Sequence, residues 1–306
     1  MTTTESDTGY ALPAGRRATD RSLPRRIASG LKTFARRSPL SAFWGCIAAA
    51  ILVMAIAAPV IAPYEPLKSD FRAMSKPPSE RHYFGTDQIG RDTLSRVIYG
   101  SRTSLTVAIG AVLFGTTLGA LWGLASGYFG GRFDIVSQRI IEFLQSFPDL
   151  ILAMAIAMAL GAGIGTVIVA IAITRIPVGG RVIRAVVLSL KEMSYVEAAR
   201  GLGASHLRMM MRHILPQCVA PYLILATTHL GVAIIIEAAL GFLGVGVPPP
   251  TPTWGNMLAD SLNAGLVPPW WLVLFPGLAI TLTVLAFNLL GDGIRDVLDP
   301  RLRGAV

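Results

Sequence analysis

Histidine, lysine, serine and acidic side chains could give this sequence catalytic or nucleotide chemistry, but none stands in a spacing that such chemistry needs. None of the four histidines, His82, His206, His213 and His229, lies in an H-E-x-x-H zinc-protease pattern. No lysine follows a glycine, as the phosphate-binding loop G-x-x-x-x-G-K-[ST] requires. The serine-nucleophile patterns G-x-S-G and G-x-S-x-G are also absent from the sequence. We therefore expect no catalytic residue and no metal site.

Charged side chains inside long apolar stretches form a second group of interest: Glu142, Asp149, Arg175 and Glu237. Charges in a membrane are costly and are functional candidates by default. The candidates for a translocation path, or for intramembrane polar contacts, are Glu142, Asp149, Thr227, Thr228, His229, Glu237 and Asn288. Two alternatives stay open: these side chains border a polar pathway, or they form interhelical pairs that only organise the bundle. Arg139 is a candidate partner for Glu142 and Asp149.

A third pattern lies between residues 191 and 216. Residues 195–202 predict a short helix that presents the small side chains of Ala198 and Ala199, and Gly203 suits its C-terminal cap. A second, basic and methionine-rich helix is expected to end at Pro216. A short helix with a small-residue face can dock closely in a groove of another protein, where Glu197 could pair with a cation. The alternative is an ordinary interfacial helix-turn-helix.

The elements that carry these residues are predicted to be membrane helices. Of 306 residues, 53% are hydrophobic and only 15% are charged, with a mean hydropathy of +0.57, whereas soluble domains carry about 25% charged residues. One membrane helix needs about 20 apolar residues. Six apolar stretches stand out, at residues 42–63, 104–128, 140–160, 164–180, 222–245 and 270–290. They predict an all-α integral membrane protein with six transmembrane helices.

Several details of these stretches carry expectations of their own. The first is longer than the apolar region of a signal peptide, so we expect an uncleaved helix. In the fourth, Arg175 is expected to extend its side chain to the nearby membrane surface. Residues 89–98 are amphipathic and are expected to lie on that surface. Three tryptophans, Trp254, Trp270 and Trp271, predict interfacial anchors, although a rigid outer cap is an alternative.

The charge distribution predicts the orientation. With the N-terminus inside, 19 of the 27 Lys and Arg residues lie in cytoplasmic segments and 7 lie in extracytoplasmic ones. Positive side chains are retained in the cytoplasm, so both termini are expected there. The net charge of +9 then reflects this retention, and no nucleic-acid partner is expected. The basic segment 1–41 is predicted to be a disordered cytoplasmic tail, attracted to membrane lipids.

The pattern between residues 195 and 216 resembles the EAA motif of ABC-importer permeases. In that family, this stretch is the coupling loop that docks on the cytoplasmic ATPase. The residues that match the motif or lie beside it are Tyr195, Glu197, Ala198, Ala199, Arg200, Gly201, Gly203, Leu215 and Pro216. Three further segments, 82–92, 237–255 and 287–303, are similar to stretches of dipeptide and oligopeptide permeases. Within that family, the chain resembles the C-type permease subunit.

This resemblance implies a type I ABC-importer fold in a bacterial inner membrane. Its segments would be the tail 1–41, a first helix 42–63, an extracytoplasmic segment 64–103, a permease core 104–290 with a cytoplasmic coupling loop 181–221, and a cytoplasmic tail 291–306. Partners would be a second homologous permease, two cytoplasmic ATPase subunits and an extracytoplasmic solute-binding protein. The chain itself would hold no cofactor, because ATP binds to the partner ATPases.

The resemblance also implies a substrate class and a mechanism. Dipeptides or oligopeptides would cross by alternating access, driven by a separate ATPase through the coupling loop. Close relatives carry nickel, glutathione or other small solutes, so these remain alternatives. A secondary transporter or channel that works alone is a further alternative, and its uptake would follow ion gradients rather than ATP.

Overall fold

The structure is a computed structural model that describes residues 34–36, 38–263 and 267–298. Within these residues the fold is helical, apart from an isolated antiparallel bridge between Thr86 and Asp92. The helices are α1 (Pro39–Ile61), α2 (Thr93–Phe129), α3 (Gly131–Gln145), α4 (Asp149–Leu160), α5 (Ile164–Lys191), α6 (Ser194–Gly201), α7 (His206–Phe242), α8 (Trp254–Leu262) and α9 (Trp270–Leu298). A single 3₁₀ turn spans Phe71–Ala73. Of the expected tails 1–41 and 291–306, residues 39–41 belong to α1 and residues 291–298 belong to α9. Residues 1–33, 37 and 299–306 lie outside the described residues.

Five of these helices, α1, α2, α5, α7 and α9, are long and apolar enough to cross a membrane. The expected third span is instead two helices, α3 and α4, whose axes differ by 88°. The break falls at Pro148, which has no N–H to continue a helix and restricts the residue before it to extended conformations. The six predicted stretches therefore correspond to five continuous helices and one broken pair.

Among the described helices, α2 and α5 are the most closely packed pair. Four glycines, Gly115, Gly119, Gly123 and Gly127, recur every fourth residue along one face of α2. A Cβ atom added at any of the first three would overlap a backbone carbonyl oxygen of α5. Small residues at this spacing let two helix backbones approach closely in a membrane. The pair is therefore fixed by backbone contact as well as by side-chain packing.

Helix α5 is longer than the sequence suggested, because it continues through the expected loop residues 181–191. Arg175 therefore lies well inside the helix, and its expected extension to the membrane surface is wrong. Its side chain is 3% exposed and forms an ion pair with Asp149 at the start of α4. A carboxylate on a neighbouring helix satisfies the guanidinium, so the side chain has no need to reach water.

The expected helix end at Pro216 is also wrong, because α7 runs without interruption from residue 206 to residue 242. A π-helical segment, Met209–Ile214, precedes the proline, and its wider turn lets Leu215 N–H donate to the Met210 carbonyl. Such π-bulges absorb a local change in the hydrogen-bond register of a helix. The proline is tolerated because it lies in the first turn after the bulge.

The bundle has two distinct ends. The loop end carries α6 and the junctions on either side of it. The far end carries the long segment 62–92, the segment 243–253 and helix α8, which packs against α2, α7 and α9. Hydrogen bonds tie these far-end segments together: Trp254 Nε1 donates to the Val97 carbonyl at 3.0 Å, and Trp271 Nε1 donates to the Thr86 carbonyl at 3.2 Å.

Two expectations about the far end are therefore wrong. Trp254 is completely buried, so it packs inside the protein instead of anchoring an interface. Residues 89–98 do not lie on a surface, since Arg96 and Val97 are buried against the far-end segments. Asp92 caps α2 by accepting a hydrogen bond from Ser95 N–H at 2.8 Å, which turns the chain into the bundle.

Candidate functional site

Helix α6 ends in a glycine-dependent cap at the loop end. Gly203 has a φ of +78°, in the left-handed region that favours glycine. Its N–H donates to the Arg200 carbonyl at 3.0 Å, and the Ala204 N–H donates to the Ala199 carbonyl at 3.1 Å. These two bonds constitute a Schellman motif, so the expected glycine cap is confirmed. The cap ends the helix sharply and fixes the path of residues 204–206.

One face of α6 is anchored to the bundle. Val196 is completely buried, and Ala199 is half-buried beside it. Both pack into a hydrophobic cluster contributed by α2, α5 and α7, which comprises Leu124, Tyr128, Ile183, Val187, Met209, Ile214 and Cys218. The short helix is therefore joined through this cluster to three long helices.

The opposite face of α6 is exposed and carries Ala198, whereas Ala199 packs inward, so the expectation that both alanines form the docking face is wrong for Ala199. Glu197, Ala198 and Gly201 share this face by their spacing of three and four residues, and all three are exposed. Just beyond them, Leu202 is 89% exposed and Leu207 is 67% exposed. We call these five residues the loop-end surface. The exposure of these two leucines leaves apolar area at the loop end that a partner protein could cover.

The remaining residues of the predicted coupling loop frame this surface. Tyr195 is exposed, and its hydroxyl donates to the His213 carbonyl at 3.4 Å, which links α6 to α7. Arg200 is exposed, Leu215 is half-buried and Pro216 is exposed. The structure thus brings the two halves of the sequence pattern, 195–203 and 215–216, to the same end of the bundle.

A bidentate ion pair braces α3 against α5 at the same end of the bundle. Arg184 of α5 donates to both carboxylate oxygens of Asp134 in α3, at 2.6 and 2.5 Å. Ser126 of α2 donates to the same carboxylate at 2.5 Å. Because a bidentate pair fixes orientation as well as distance, α2, α3 and α5 are held together next to the anchor of α6. Sequence reasoning missed this brace, since residues 50 positions apart give no local signal.

The predicted intramembrane polar residues do not form one continuous line. Glu142 pairs with Arg139 at 2.8 Å on an exposed helix surface, as the sequence suggested for this residue. Asp149 pairs with Arg175 instead of Arg139. Thr227 and Thr228 donate to carbonyls one turn earlier in their own helix.

The other three polar candidates lie inside the bundle. His229 is buried, and its Nδ1 atom lies 2.9 Å from the Thr116 hydroxyl of α2. Glu237 is 1% exposed, and neither of its carboxylate oxygens has a hydrogen-bond partner among the described residues. Asn288 of α9 is half-buried and faces Gly231 of α7. The contacts of His229 and Asn288 each join two helices, and the three residues do not outline a pathway through the described part of the chain.

No metal centre emerges from these groups. Within residues 34–36, 38–263 and 267–298, no three His, Cys, Asp or Glu side chains lie close enough together to hold a metal ion. The candidate functional feature is the loop-end surface on α6.

Comparison with known proteins identifies the group to which this architecture belongs. The family model of the binding-protein-dependent transport system inner membrane component matches residues 98–304. A dipeptide transport system permease protein of Alkalihalophilus pseudofirmus is 42% identical over 84% of each chain. A glutathione transport system permease protein of Escherichia coli is 43% identical over 83% of this chain and 84% of the relative.

A solved structure shares the fold. A chain of the MetNI methionine ABC transporter, in an inward-facing conformation, superposes with a TM-score of 0.56 at 18% sequence identity. The match covers 66% of this chain and 96% of that one. Together with the apolar helices, these comparisons make the protein a multi-pass membrane protein. The chain belongs to the family of binding-protein-dependent transport system inner membrane components.

Proposed function

We propose that the chain is a permease subunit of an ATP-driven ABC importer for dipeptides and oligopeptides. The observation that carries this proposal is the construction of α6. Its exposed face is small enough for close docking, while its other face is anchored through Val196 and Ala199 to three long helices. A helix built in this way suits a mechanical connection between a docked protein and the membrane bundle.

The mechanism that follows is alternating access driven from the loop end. When two partner ATPases close on ATP, they displace α6, and the displacement passes through the hydrophobic cluster to α2, α5 and α7. The Arg184–Asp134 ion pair keeps α3 moving with α5. The bundle then switches between two packings as nearly rigid bodies, which is a common form of conformational change.

The proposal assigns ATP and substrate delivery to other subunits. The sequence lacks a phosphate-binding loop, so the two ATPase subunits supply nucleotide binding, and this chain holds no cofactor. A second, homologous permease completes the pathway, and an extracytoplasmic solute-binding protein delivers the substrate. In the proposed orientation the loop end and both termini face the cytoplasm, because most Lys and Arg residues lie on that side.

The substrate is proposed to be a short peptide. The dipeptide permease relative supports this class, and the glutathione permease relative supports glutathione as a second candidate. Both are small molecules with peptide-type linkages and free carboxylates. The two candidates can be separated by competition for uptake.

The test is uptake of labelled dialanine into proteoliposomes that contain the complete importer and its solute-binding protein. We expect uptake that requires ATP and is unaffected by an ionophore that collapses ion gradients. Excess unlabelled glutathione should inhibit only if glutathione is a substrate. Uptake that continues without ATP and stops with the ionophore would show a secondary transporter instead.

A further inference from the structure

Two arginine side chains meet at the far end of the bundle, outside the loop-end surface. Arg91 comes from the segment 62–92, and Arg96 comes from the first turn of α2. Their side chains are 14% and 4% exposed. Two carboxylates, Asp87 and Asp260, lie against them. Buried guanidinium groups require anionic partners, so the way each carboxylate binds them is informative.

Asp87 is firmly bound. One of its oxygens accepts the backbone N–H groups of Ile89 and Arg91, at 3.1 and 2.8 Å, and the other accepts Arg91 Nε at 2.5 Å. The carboxylate therefore shapes the turn that presents Arg91. Its displacement would unravel that turn, so Asp87 is a structural partner.

Asp260 is loosely bound by comparison. It lies 3.3 Å from Arg91 Nη2 and 3.3 Å from Arg96 Nη2, whereas charge-assisted bonds of this type are about 2.7–2.9 Å long. Its side chain is 44% exposed. It also lies in the last turn of α8, where the helix dipole disfavours a negative charge. All three features make Asp260 the carboxylate that another anion could replace.

A cavity beside the two arginines contains unused hydrogen-bond donors. It is lined by residues of the far-end segment, α2, α8 and α9, and it has a volume of about 80 Å³. Arg96 Nη1 and the Thr93 hydroxyl are both buried, both belong to residues that line the cavity, and neither has a hydrogen-bond partner among the described residues. Buried donors without partners are costly, so such a pair points to a ligand that accepts hydrogen bonds.

We propose that Arg91 and Arg96 form a binding site for a carboxylate group from outside the chain, in which Asp260 is a displaceable internal occupant. A carboxylate matches the fork of an arginine side chain and accepts several hydrogen bonds at once. The cavity is partly open to solvent, so a carboxylate can enter it while the rest of the molecule lies outside.

Displacement would free the Asp260 carboxylate from both arginines. The backbone of α8 stays bound at both ends, because the Gln88 side-chain amide donates to the Asp260 carbonyl and Trp254 donates to the Val97 carbonyl of α2. Binding of a carboxylate would thus rearrange side chains at the far end while α8 stays in place. The carboxylate could come from a transported peptide or from an acidic side chain of a solute-binding protein, a choice that rests on the proposed function.

The test is direct binding to the purified full chain. The probes are N-acetyl-dialanine, which has a free carboxylate, and its C-terminal amide, which has none. We expect the acid to bind and the amide not to bind. Asp260→Asn should bind the acid at least tenfold more tightly, because the internal competitor is neutral. Arg96→Gln should abolish binding, and the matched control Arg102→Gln, exposed on the same helix, should leave it unchanged.

Several results would overturn the proposal: equal binding of acid and amide, no binding of the acid by Asp260→Asn, or an Arg96→Gln variant that binds like Arg102→Gln. Because Arg96→Gln also removes a buried charge and can unfold the far end, Arg91→Gln serves as a second variant, checked for monodispersity.

Competition then distinguishes the two sources of the carboxylate. If the solute-binding protein displaces the acid probe, its acidic side chain fills the site; if a free peptide alone does so, the site takes the transported solute. The binding assay needs neither ATP nor a membrane. A chain that binds the probe but supports no ATP-driven uptake would refute the proposed function and leave this site intact, and the reverse result would do the opposite.

Discussion

Glu197 is the exposed carboxylate of α6, in a face whose other members are no larger than alanine. We expect Glu197→Lys to abolish ATP-driven uptake, because it reverses the charge and adds bulk where close docking is needed. Membrane insertion should be unchanged, since the side chain makes no part of the buried anchor. Glu192→Lys is the matched control: the same change at an exposed residue just before α6 should leave uptake nearly normal. Equal uptake in the two variants would contradict the assignment of the loop-end surface.

Gly203 contributes its backbone conformation, since a Cβ atom there would meet nothing within 4 Å. Gly203→Val should destabilise the cap by about 1–2 kcal/mol, because a β-branched residue resists the left-handed region. Gly203→Asn should retain most of the coupling, because asparagine visits that region more readily. The measurement is the ATP-driven uptake of each variant at equal expression. Full uptake with valine, or equal loss with asparagine, would show that the backbone conformation is not what matters.

The Arg175–Asp149 ion pair predicts a double-mutant cycle. Asp149→Leu should destabilise the purified chain by roughly 3 kcal/mol, because it leaves the buried Arg175 guanidinium without its partner. Arg175→Met should cost less, because the Asp149 side chain that it leaves unpaired is half exposed. The double variant should recover most of this loss, since apolar pairs often replace buried ion pairs at little cost. Thermal unfolding in detergent measures the effect.

The control for this cycle is Glu142→Gln, which removes an exposed ion pair and should cost less than about 1 kcal/mol. If the double variant were as unstable as the sum of the two single variants, the two side chains would not be energetically coupled.

At the scale of elements, the glycine face of α2 determines how closely α5 can approach. Gly119→Ala should cost about 1–3 kcal/mol, because its Cβ atom would overlap the Ile176 carbonyl and backbone atoms cannot move aside cheaply. Gly277→Ala is the matched control in α9, where an added Cβ atom meets nothing within 4 Å. Alanine there should stabilise the helix slightly. A lower melting temperature is expected for the first variant only, and equal melting temperatures would refute close backbone packing.

The sequence could predict most of these elements, but it could not predict all of their ends. Apolar length alone located the spans, and the glycine at 203 correctly indicated where α6 ends. The prediction that a helix ends at Pro216 was wrong, because the π-helical turn that accommodates this proline has no signature in the local sequence. Pro148 did break a helix, but its effect was hidden inside an apolar stretch of suitable length. The recurrence of glycine at every fourth residue of α2 is visible in the sequence. It would have predicted the close contact of this helix with α5.

At the scale of the whole molecule, the two ends differ in how far the sequence could describe them. At the loop end, the motif itself lies within residues 195–216, so it could be read directly, whereas its anchor cluster and the Arg184–Asp134 pair could not. The far end depends on contacts such as those between Arg96 and Asp260, which are 164 residues apart. Amphipathic spacing there suggested a surface helix, whereas Asp92 and Arg96 are buried inside the protein. Long-range ion pairs of this kind leave no periodic signal.

The orientation of the whole bundle is the last prediction, and it follows from charge. Cytoplasmic segments should carry most of the Lys and Arg residues, which places the loop end inside. Cys46 is exposed and Cys218 is buried. Replacing Cys46 by serine therefore removes the accessible cysteine, and single cysteines can then be introduced as reporters. Lys68→Cys at the far end should react with a membrane-impermeant maleimide in intact spheroplasts. Glu197→Cys should react only after permeabilisation. The reverse labelling pattern would show that the chain has the opposite orientation in the membrane. The loop-end surface would then be out of reach of a cytoplasmic ATPase.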